Sequence, residues 1–231
     1  MSGPQKARSA PGALELLVFD WDGTLADSQV RIVRSIAHAC DSLGLVAPPP
    51  ERMRSVIGLG LVEAMAELFA GCPPGDTPDP ELLAERYRAH FLSRETEPVS
   101  LFDGARETVH ALSEAGYRLA VATGKGRRGL DRDLEQSALA HYFEATRCAD
   151  EAFSKPHPQM LHDLLELTTV QAGKALMIGD TDFDMLMASN AGVHALAVTC
   201  GVHGAERLRA ASPLALLADV ACLPGWLGRT D

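Results

Sequence analysis

Long apolar runs are absent from this sequence. The first apolar segment, residues 13–19, is too short to span a bilayer, and no other segment is long and apolar enough. Residues 1–13 are small and polar, with two cations and no apolar stretch, and predict a disordered leader, not a signal peptide. We therefore expect a cytoplasmic protein that does not interact with membranes.

Basic residues are also in the minority. Lys and Arg number 21 against 31 Asp and Glu, giving a formal net charge of -10, and the cations form no long block. Such a chain is a poor ligand for nucleic acid or for an anionic membrane surface. The same charge means that a site for phosphate would need local cations to overcome the field of the whole protein.

Cysteine is sparse, and its pattern excludes two classes of site. The five cysteines are an odd number, and no two have the C-x-x-C spacing, so neither a structural zinc site nor a disulfide framework is indicated. The eight histidines also lack a metal-ligand spacing, and we assign none of them to a metal. Free thiols in a reducing compartment are the simplest interpretation.

Short apolar runs alternate with helical patterns along most of the chain. They predict strands at 14–19, 117–122, 142–147, 175–178 and 194–198, and helices at 104–115, 127–138, 157–168 and 182–191. Strands that alternate with helices predict an α/β fold, with a Rossmann-like parallel sheet and helices on both faces. The run 214–217 is consistent with a last strand.

One interval departs from this alternation. About 95 residues without a clear strand separate the first strand from the second, whereas a simple crossover needs about a dozen. The interval carries helical patterns at 28–43, 51–56, 60–70 and 81–94, separated by proline-rich turns. We expect an inserted α-helical cap at 28–98 and a core formed by 14–27 and 99–231.

Polar side chains follow several of the predicted strands at their carboxyl ends, where ligands bind in an open parallel sheet. Lys155 is predicted to reach the same edge from the start of the helix at 157–168. The set comprises Asp20, Asp22, Thr123, Lys155, Asp180, Asp182 and Asp184. Asp182 can equally be a helix N-terminal residue favoured by the helix dipole, and we give it no catalytic role.

The residue types in this set suit phosphoryl chemistry. Clustered carboxylates favour a hard cation such as Mg²⁺, lysine and threonine suit phosphate oxygens, and a carboxylate can attack phosphorus to give an aspartyl-phosphate. A dianionic phosphate about 4 Å from an ionised Asp20 would be repelled by roughly 8 kcal/mol at an effective dielectric of about 20. Mg²⁺ and Lys155 together could offset a term of that size.

Four segments in this order resemble the motifs of the haloacid dehalogenase (HAD) superfamily. They are DWDGTL at 20–25, VATG at 121–124, KPHP at 155–158 and GDTDFD at 179–184. The resemblance covers nearly the whole chain and is closest to the phosphoglycolate-phosphatase-like branch with a helical C1-type cap. The segment LFDGA at 101–105 also resembles that branch. Trp21 stands where the family usually has Phe, and we expect it to pack into the core.

The resemblance implies a role for each matching residue. Asp20 would be the nucleophile and a metal ligand, and Asp22 would be the general acid and base, with its backbone carbonyl also bound to the metal. Thr123 and Lys155 would be catalytic and bind phosphate. Gly23 and Gly124 would lie against the phosphate. Asp180 would bind Mg²⁺, and Asp184 would complete the metal site by supporting the metal's waters. The implied reaction is Mg²⁺-dependent hydrolysis of a small phosphorylated metabolite, a phosphate monoester, through an aspartyl-phosphate.

Each motif also has a structural interpretation. Asp-Gly at 22–23 is a common turn signal, Thr123 can cap a helix, and Lys155-Pro156 can begin one. The conjunction of all four favours the enzyme. A cluster of cations at 125–128 is either a solvated helix face or a phosphate contact, and the loop 57–60 either overlies the site or is an ordinary turn. For Arg31 and Arg34 a surface position is favoured over substrate contact.

Three other functions remain open at this stage. A sugar phosphomutase would share the core residues and differ in its cap. A dehalogenase would lack the second carboxylate of the first motif and would need no Mg²⁺, so Asp22 argues against it. A non-catalytic binding protein would be expected to have a broken nucleophile set, whereas this set is intact.

Overall fold

A computed structural model describes residues 14–73, 77–93, 98 and 100–228. Its core is a six-stranded sheet in the order β5-β4-β1-β6-β7-β8, in which every neighbouring pair is parallel. The strands are β1 (Leu16–Phe19), β4 (Arg118–Thr123), β5 (Phe143–Cys148), β6 (Ala175–Gly179), β7 (His194–Val198) and β8 (Leu216–Leu217). The predicted Rossmann-like α/β fold is confirmed.

Helices cover both faces of this sheet. Two of the larger ones, α5 (Ala105–Glu114) and α6 (Arg127–Ser137), share a buried cluster with Leu17 and Phe19 of β1. On the other face, α7 (Gln159–Thr168) and α8 (Asp182–Ala191) share a cluster with Leu16 and Val18. Successive side chains of a strand point to opposite faces, so β1 is apolar at every position because both of its faces are covered.

The long interval after β1 forms a separate helical layer. A short antiparallel pair, β2 (Ala26–Asp27) with β3 (Ser100–Leu101), stands at its two ends. Between them lie α1 (Gln29–Ser42), α2 (Pro50–Arg54), α3 (Leu61–Leu68) and α4 (Pro80–Phe91), which we call the helical insert. These four helices pack around their own buried cluster, which includes Ile36, Met65 and Leu83.

Some predicted details differ from the structure. Lys155 lies in a turn four residues ahead of α7 and not at a helix start, because Pro158 is the residue that precedes the first helical turn. The last segment contains α9 (Ala205–Ala210) and α10 (Leu223–Leu227), which the sequence did not predict. The predicted leader at 1–13 lies outside the described residues, and the cap limits at 28–98 stay a prediction. In the described part of the chain, no helix has the length and apolarity needed to cross a membrane.

Candidate active site

The strands bring the predicted polar residues to one edge of the sheet. Asp20 follows β1, Thr123 is the last residue of β4, and Asp180 follows β6. Because β1 pairs in parallel with both β4 and β6, these three strand ends are neighbours. Asp184 joins them from the first turn of α8.

Three buried carboxylates meet at this edge. Asp20, Asp180 and Asp184 each offer an oxygen within 4.8 Å of the others, and their side chains are no more than 1% exposed. Burial raises the pKa of Asp20 well above its ordinary value, and Lys155 counteracts this effect. Burial also raises the pKa of Asp180 to about 7, and repulsion from Asp184 adds to the shift. So much buried negative charge requires a cation nearby.

Lys155 supplies one such cation. Its Nζ atom lies 2.8 Å from Oδ1 of Asp20 and 2.7 Å from Oδ1 of Asp184. Burial alone would lower the pKa of Lys155, but the two carboxylates hold it above its ordinary value. Lys155 therefore stays protonated and ties the Asp20 carboxylate to α8.

Hydrogen bonds fix the other carboxylate oxygens. Thr24 Oγ1 donates to Asp180 Oδ1 at 3.0 Å, and the Val202 backbone N–H donates to Asp180 Oδ2 at 2.8 Å. The Thr181 hydroxyl donates to Asp184 Oδ2 at 2.6 Å and, as the capping residue of α8, accepts from the Asp184 N–H. These bonds hold both side chains in fixed positions.

One carboxylate oxygen of the described cluster is not satisfied by hydrogen bonds. Oδ2 of Asp20 is buried and has no hydrogen-bond partner among the described residues. A donor set made only of carboxylate oxygens, with one of them unsatisfied, fits a hard divalent cation such as Mg²⁺. The residues that would hold it are Asp20, Asp180 and Asp184.

Two glycines allow the close packing around Asp180. Gly23 has a φ of +86°, in the left-handed region, and a Cβ built there would overlap the Asp180 carboxylate. A Cβ on Gly201 would overlap the same carboxylate from the loop that carries Val202. Any larger residue at either position would have to displace Asp180.

Asp22 lies apart from the carboxylate cluster. Its Oδ1 is 3.0 Å from Nζ of Lys125, which also lies 3.1 Å from Oδ2 of Asp133. Trp21 is buried as expected, and its indole N–H donates to the same Asp133 oxygen at 3.2 Å. Burial would lower the pKa of Lys125, but Asp22 and Asp133 keep it above its ordinary value. Of the predicted basic cluster, Lys125 is therefore neither on a solvated face nor free for phosphate.

The sheet edge and the helical insert enclose a cavity of about 470 Å³. The core contributes Asp20, Asp22, Thr123 and Gly124 to its lining. The predicted loop 57–60 overlies this edge, since Ile57, Gly58 and Leu59 also line the cavity. A Cβ on Gly124 would overlap the Leu59 carbonyl oxygen and lie 2.6 Å from that of Gly58, so the loop and the core are in direct contact.

The other predicted residues differ in their position relative to this cavity. Lys155, Asp180 and Asp184 do not line it but lie behind Asp20. Thr123 is 1% exposed, and its hydroxyl accepts from the Lys125 backbone N–H at 3.1 Å. Asp182 instead pairs with Arg207 at 2.7 Å on the surface side of α8.

Sequence reasoning missed several residues of the site. Thr24 lies within the first motif, but its partner Asp180 is distant in sequence, and no pattern predicted the bond. The Val202 N–H belongs to a loop without a motif. Tyr87 and Phe91 of α4 line the cavity, and the only signal for them was the apolar face of that helix. Arg31 lies over the Phe91 ring at 4.3 Å from its centroid and does not line the cavity.

Comparisons with known proteins agree with this architecture. The family model described as "Haloacid dehalogenase-like hydrolase" matches residues 17–198. The "Probable phosphatase IndB" of Dickeya dadantii is 34% identical over 201 residues, covering 86% of each chain. A "Phosphoglycolate phosphatase" of Agrobacterium fabrum is 33% identical over 191 residues, covering 80% of this chain and 81% of the relative.

A solved structure supports the same assignment at the level of the fold. The crystal structure of a "predicted phosphatase" from Clostridium acetobutylicum superimposes with a TM-score of 0.84 at 23% identity, covering 94% of this chain and 100% of that one. The first expectation from the sequence motifs is thus confirmed: the chain belongs to the haloacid dehalogenase-like hydrolases and, within them, to the phosphatases.

Proposed function

We propose that this phosphatase hydrolyses a small phosphate monoester in a Mg²⁺-dependent reaction that passes through an aspartyl-phosphate on Asp20. The observation that supports this most is the setting of the Asp20 carboxylate. It lines the cavity, one of its oxygens is 2.8 Å from Lys155, and the other is buried without a hydrogen-bond partner. A carboxylate held in this way is oriented for attack on a phosphorus atom in the cavity.

In the first half of the reaction, an Asp20 oxygen forms a bond to phosphorus. The bond between phosphorus and the ester oxygen breaks, and Asp22 gives its proton to the departing alcohol. Asp22 also lines the cavity but is outside the carboxylate cluster, so its carboxyl group is separate from the nucleophile and can face the departing alcohol. Lys125 beside Asp22 fixes the direction of its carboxyl group.

In the second half, water attacks the phosphorus of the aspartyl-phosphate. Asp22 takes a proton from that water, the bond between phosphorus and Asp20 breaks, and inorganic phosphate leaves. The Thr123 hydroxyl and the backbone at Gly23 and Gly124 would contact the phosphate oxygens. Lys155 would stabilise negative charge on Asp20 and on the phosphoryl group.

Mg²⁺ is the cofactor that the donor set favours. Asp20, Asp180 and Asp184, with the Asp22 backbone carbonyl, would hold it. When bound, it would neutralise charge on the phosphate, which otherwise faces a cluster of three carboxylates with one lysine. Thr24, Thr181 and Val202 keep Asp180 and Asp184 in place for this purpose.

We also propose that the helical insert acts as a cap over the site. The Gly60 backbone N–H donates to Ser154 Oγ at 2.7 Å, which joins the insert to the loop before Lys155. Closure of the insert would exclude bulk water during transfer, and opening would release the products.

The test is phosphate release from a panel of phosphate esters that includes p-nitrophenyl phosphate, with Mg²⁺ or with EDTA. We expect release that needs Mg²⁺ and is lost in Asp20→Asn, whereas the same substitution at the exposed Asp41 leaves activity unchanged. Circular dichroism of both variants controls for folding. Retained activity in Asp20→Asn would contradict the proposal. Isomerisation of a sugar phosphate without release of phosphate would indicate the phosphomutase instead.

A further inference from the structure

The part of the cavity wall that the helical insert contributes is mainly apolar. It is formed by the helical insert, with side chains from α1, α3, α4 and the segments next to them. The main contributors are Ile32, Ile36, Val56, Val62, Met65 and Leu92. Catalytic groups bind the phosphate on one side, so this wall is what the leaving group of a bound ester would contact.

An aromatic pair from α4 extends the same wall. The rings of Tyr87 and Phe91 are stacked, with centroids 5.4 Å apart and planes at 14°. Burial raises the pKa of Tyr87 well above its ordinary value, and the carboxylate of Asp22 adds to the shift. The Tyr87 hydroxyl has no hydrogen-bond partner among the described residues, so it is a polar group of the insert that is available near Asp22.

The charged groups of the lining do not suit a second anion on the substrate. Lys125 is the buried lysine of the lining, and it is held by Asp22 and Asp133 at 3.0 and 3.1 Å. Arg88 and Arg128 line the cavity but are exposed, where water weakens their attraction for anions. Three exposed carboxylates of the lining, those of Glu63, Glu81 and Asp150, offset these two exposed arginines, so the described lining residues offer no unpaired buried cation for a second anion.

The size of the cavity also argues against a small, doubly anionic substrate. Its volume of about 470 Å³ lies within the roughly 300–1,000 Å³ of pockets that bury most of a drug-sized ligand. A phosphate with a two-carbon acid, or a second phosphate, would leave most of the apolar wall without contact. Water against that wall would be released by a larger apolar group.

We infer that the substrate of this enzyme is a phosphate monoester with a bulky, mainly apolar leaving group. The insert wall with the Tyr87–Phe91 pair would select this group. This inference rests on the proposed phosphatase function and adds to it the class of substrate. It separates this chain from an enzyme whose substrate is phosphoglycolate or pyrophosphate, since both of those place a second anion where the wall is apolar.

The test is kcat/KM for a series of primary alkyl phosphates, namely ethyl, butyl, hexyl and 2-phenylethyl phosphate, with 2-phosphoglycolate and pyrophosphate in parallel. The alkyl leaving groups are closely matched in basicity, so differences among them report contact with the wall. Each fully buried methylene is expected to raise kcat/KM about fourfold, so the four additional methylenes of hexyl phosphate correspond to roughly 250-fold over ethyl phosphate if all are buried. Burial of only two of them would still give at least about tenfold. Phosphoglycolate and pyrophosphate should both be poorer than hexyl phosphate.

A variant pair makes the test specific to the wall. Val62→Arg places a cation in the lining at a half-buried position of α3 and should remove the preference for hexyl over ethyl phosphate while improving phosphoglycolate. Val46→Arg makes the same change at a side chain that is 90% exposed and outside the lining, and should keep the wild-type order.

Three results would overturn the inference. A flat alkyl series, or a preference for phosphoglycolate or pyrophosphate over hexyl phosphate, would do so while leaving the phosphatase proposal intact, provided that release still depends on Asp20. An unchanged alkyl preference in Val62→Arg would show that another surface selects the leaving group. Absence of Asp20-dependent release from every ester, including p-nitrophenyl phosphate, would reject the proposed function and this inference with it.

Discussion

The Nζ atom of Lys125 lies 3.0 Å from Oδ1 of Asp22, so the proposed acid and base of the reaction has a buried cation as its neighbour. The same ammonium group lies 4.5 Å from the centre of the Phe91 ring, at the end of the last helix of the insert. Lys125 therefore contacts the proposed acid, the core carboxylate Asp133 and the insert at once. Such a contact links the orientation of Asp22 to the position of the insert.

Lys125→Met should slow the reaction by a factor that depends on the leaving group of the substrate. Without the cation, Asp22 loses the contact that directs its carboxyl group, and proton transfer to the departing alcohol suffers. We expect kcat/KM for an alkyl phosphate, which reports the steps up to departure of the alcohol, to fall by roughly 10²-fold, within the usual contribution of a general acid. For p-nitrophenyl phosphate the fall should be much smaller, because that leaving group departs without a proton.

The measurement is kcat/KM for both substrates, which excludes the later hydrolysis of the aspartyl-phosphate, with thermal unfolding recorded for each protein. Lys174→Met is a matched control, since Lys174 forms an exposed pair with Glu15 that contributes little to stability. Equal losses on the two substrates would show that Lys125 does not act through proton transfer.

Thr24→Val should weaken the metal site and leave the chemistry intact. The substitution keeps the shape of the side chain but removes the hydroxyl that donates to Asp180 Oδ1 at 3.0 Å. Partners of metal-binding carboxylates typically contribute about 10- to 100-fold in metal affinity. We expect the Mg²⁺ concentration for half-maximal activity to rise by about tenfold, with kcat recovered at saturating Mg²⁺. Thr199→Val is the control, because the Thr199 hydroxyl donates to an exposed backbone carbonyl. A loss of kcat that Mg²⁺ does not restore would contradict this role.

Gly124→Ala should move the insert away from the core. A Cβ at this position would lie 2.6 Å from the Gly58 carbonyl oxygen, and backbone atoms cannot yield as a flexible side chain would. A displacement of about 1 Å near the chemistry can lower activity by about 10²-fold, and we expect kcat/KM to fall by about that factor. Gly173→Ala is the control, because a Cβ there meets nothing within 4 Å. Kinetics that match the control would show that the insert does not rest on Gly124.

Thiol reagents should distinguish the cysteines by burial. Cys148 is buried, and this burial raises its pKa to about 12. The reactive species is the thiolate, which at about pH 8 is then only about one part in ten thousand of Cys148. We expect mass spectrometry after brief alkylation to find Cys72 and Cys222 modified, since both are exposed, and Cys148 unmodified. All five thiols should react in the denatured chain. Rapid labelling of Cys148 in the folded protein would contradict its burial.

The sequence predicted the central strands well because each is a short, continuous apolar run. The prediction at 175–178 became β6 at Ala175–Gly179, and that at 194–198 became β7 with the same limits. A strand buried on both faces requires apolar side chains at every position, and few other structural elements require such a short, continuous apolar run. The pair β2 and β3 escaped prediction because two residues are too few to show a period.

The site was predictable where chemistry is tied to the ends of strands. Asp20, Thr123 and Asp180 follow from the order of apolar runs and polar residues, because parallel strands end at one edge. The contacts of Lys125 and Thr24 could not be predicted, since their partners come from other elements and only the folded chain determines which residues meet. Lys125 had the sequence setting of a solvated helix start, but tertiary packing leaves its side chain only 6% exposed.

The proposed mechanism depends on phosphorylation of Asp20, and trapping the phosphorylated enzyme tests that step itself. Wild-type enzyme in excess would be mixed with p-nitrophenyl phosphate and Mg²⁺, quenched in acid within one turnover, digested and examined by mass spectrometry. We expect one phosphoryl group on the peptide that contains Asp20, a longer-lived signal in Asp22→Asn, and no signal in Asp20→Asn. Phosphate release without a phosphoryl group on this peptide, or with one on another residue, would contradict the mechanism.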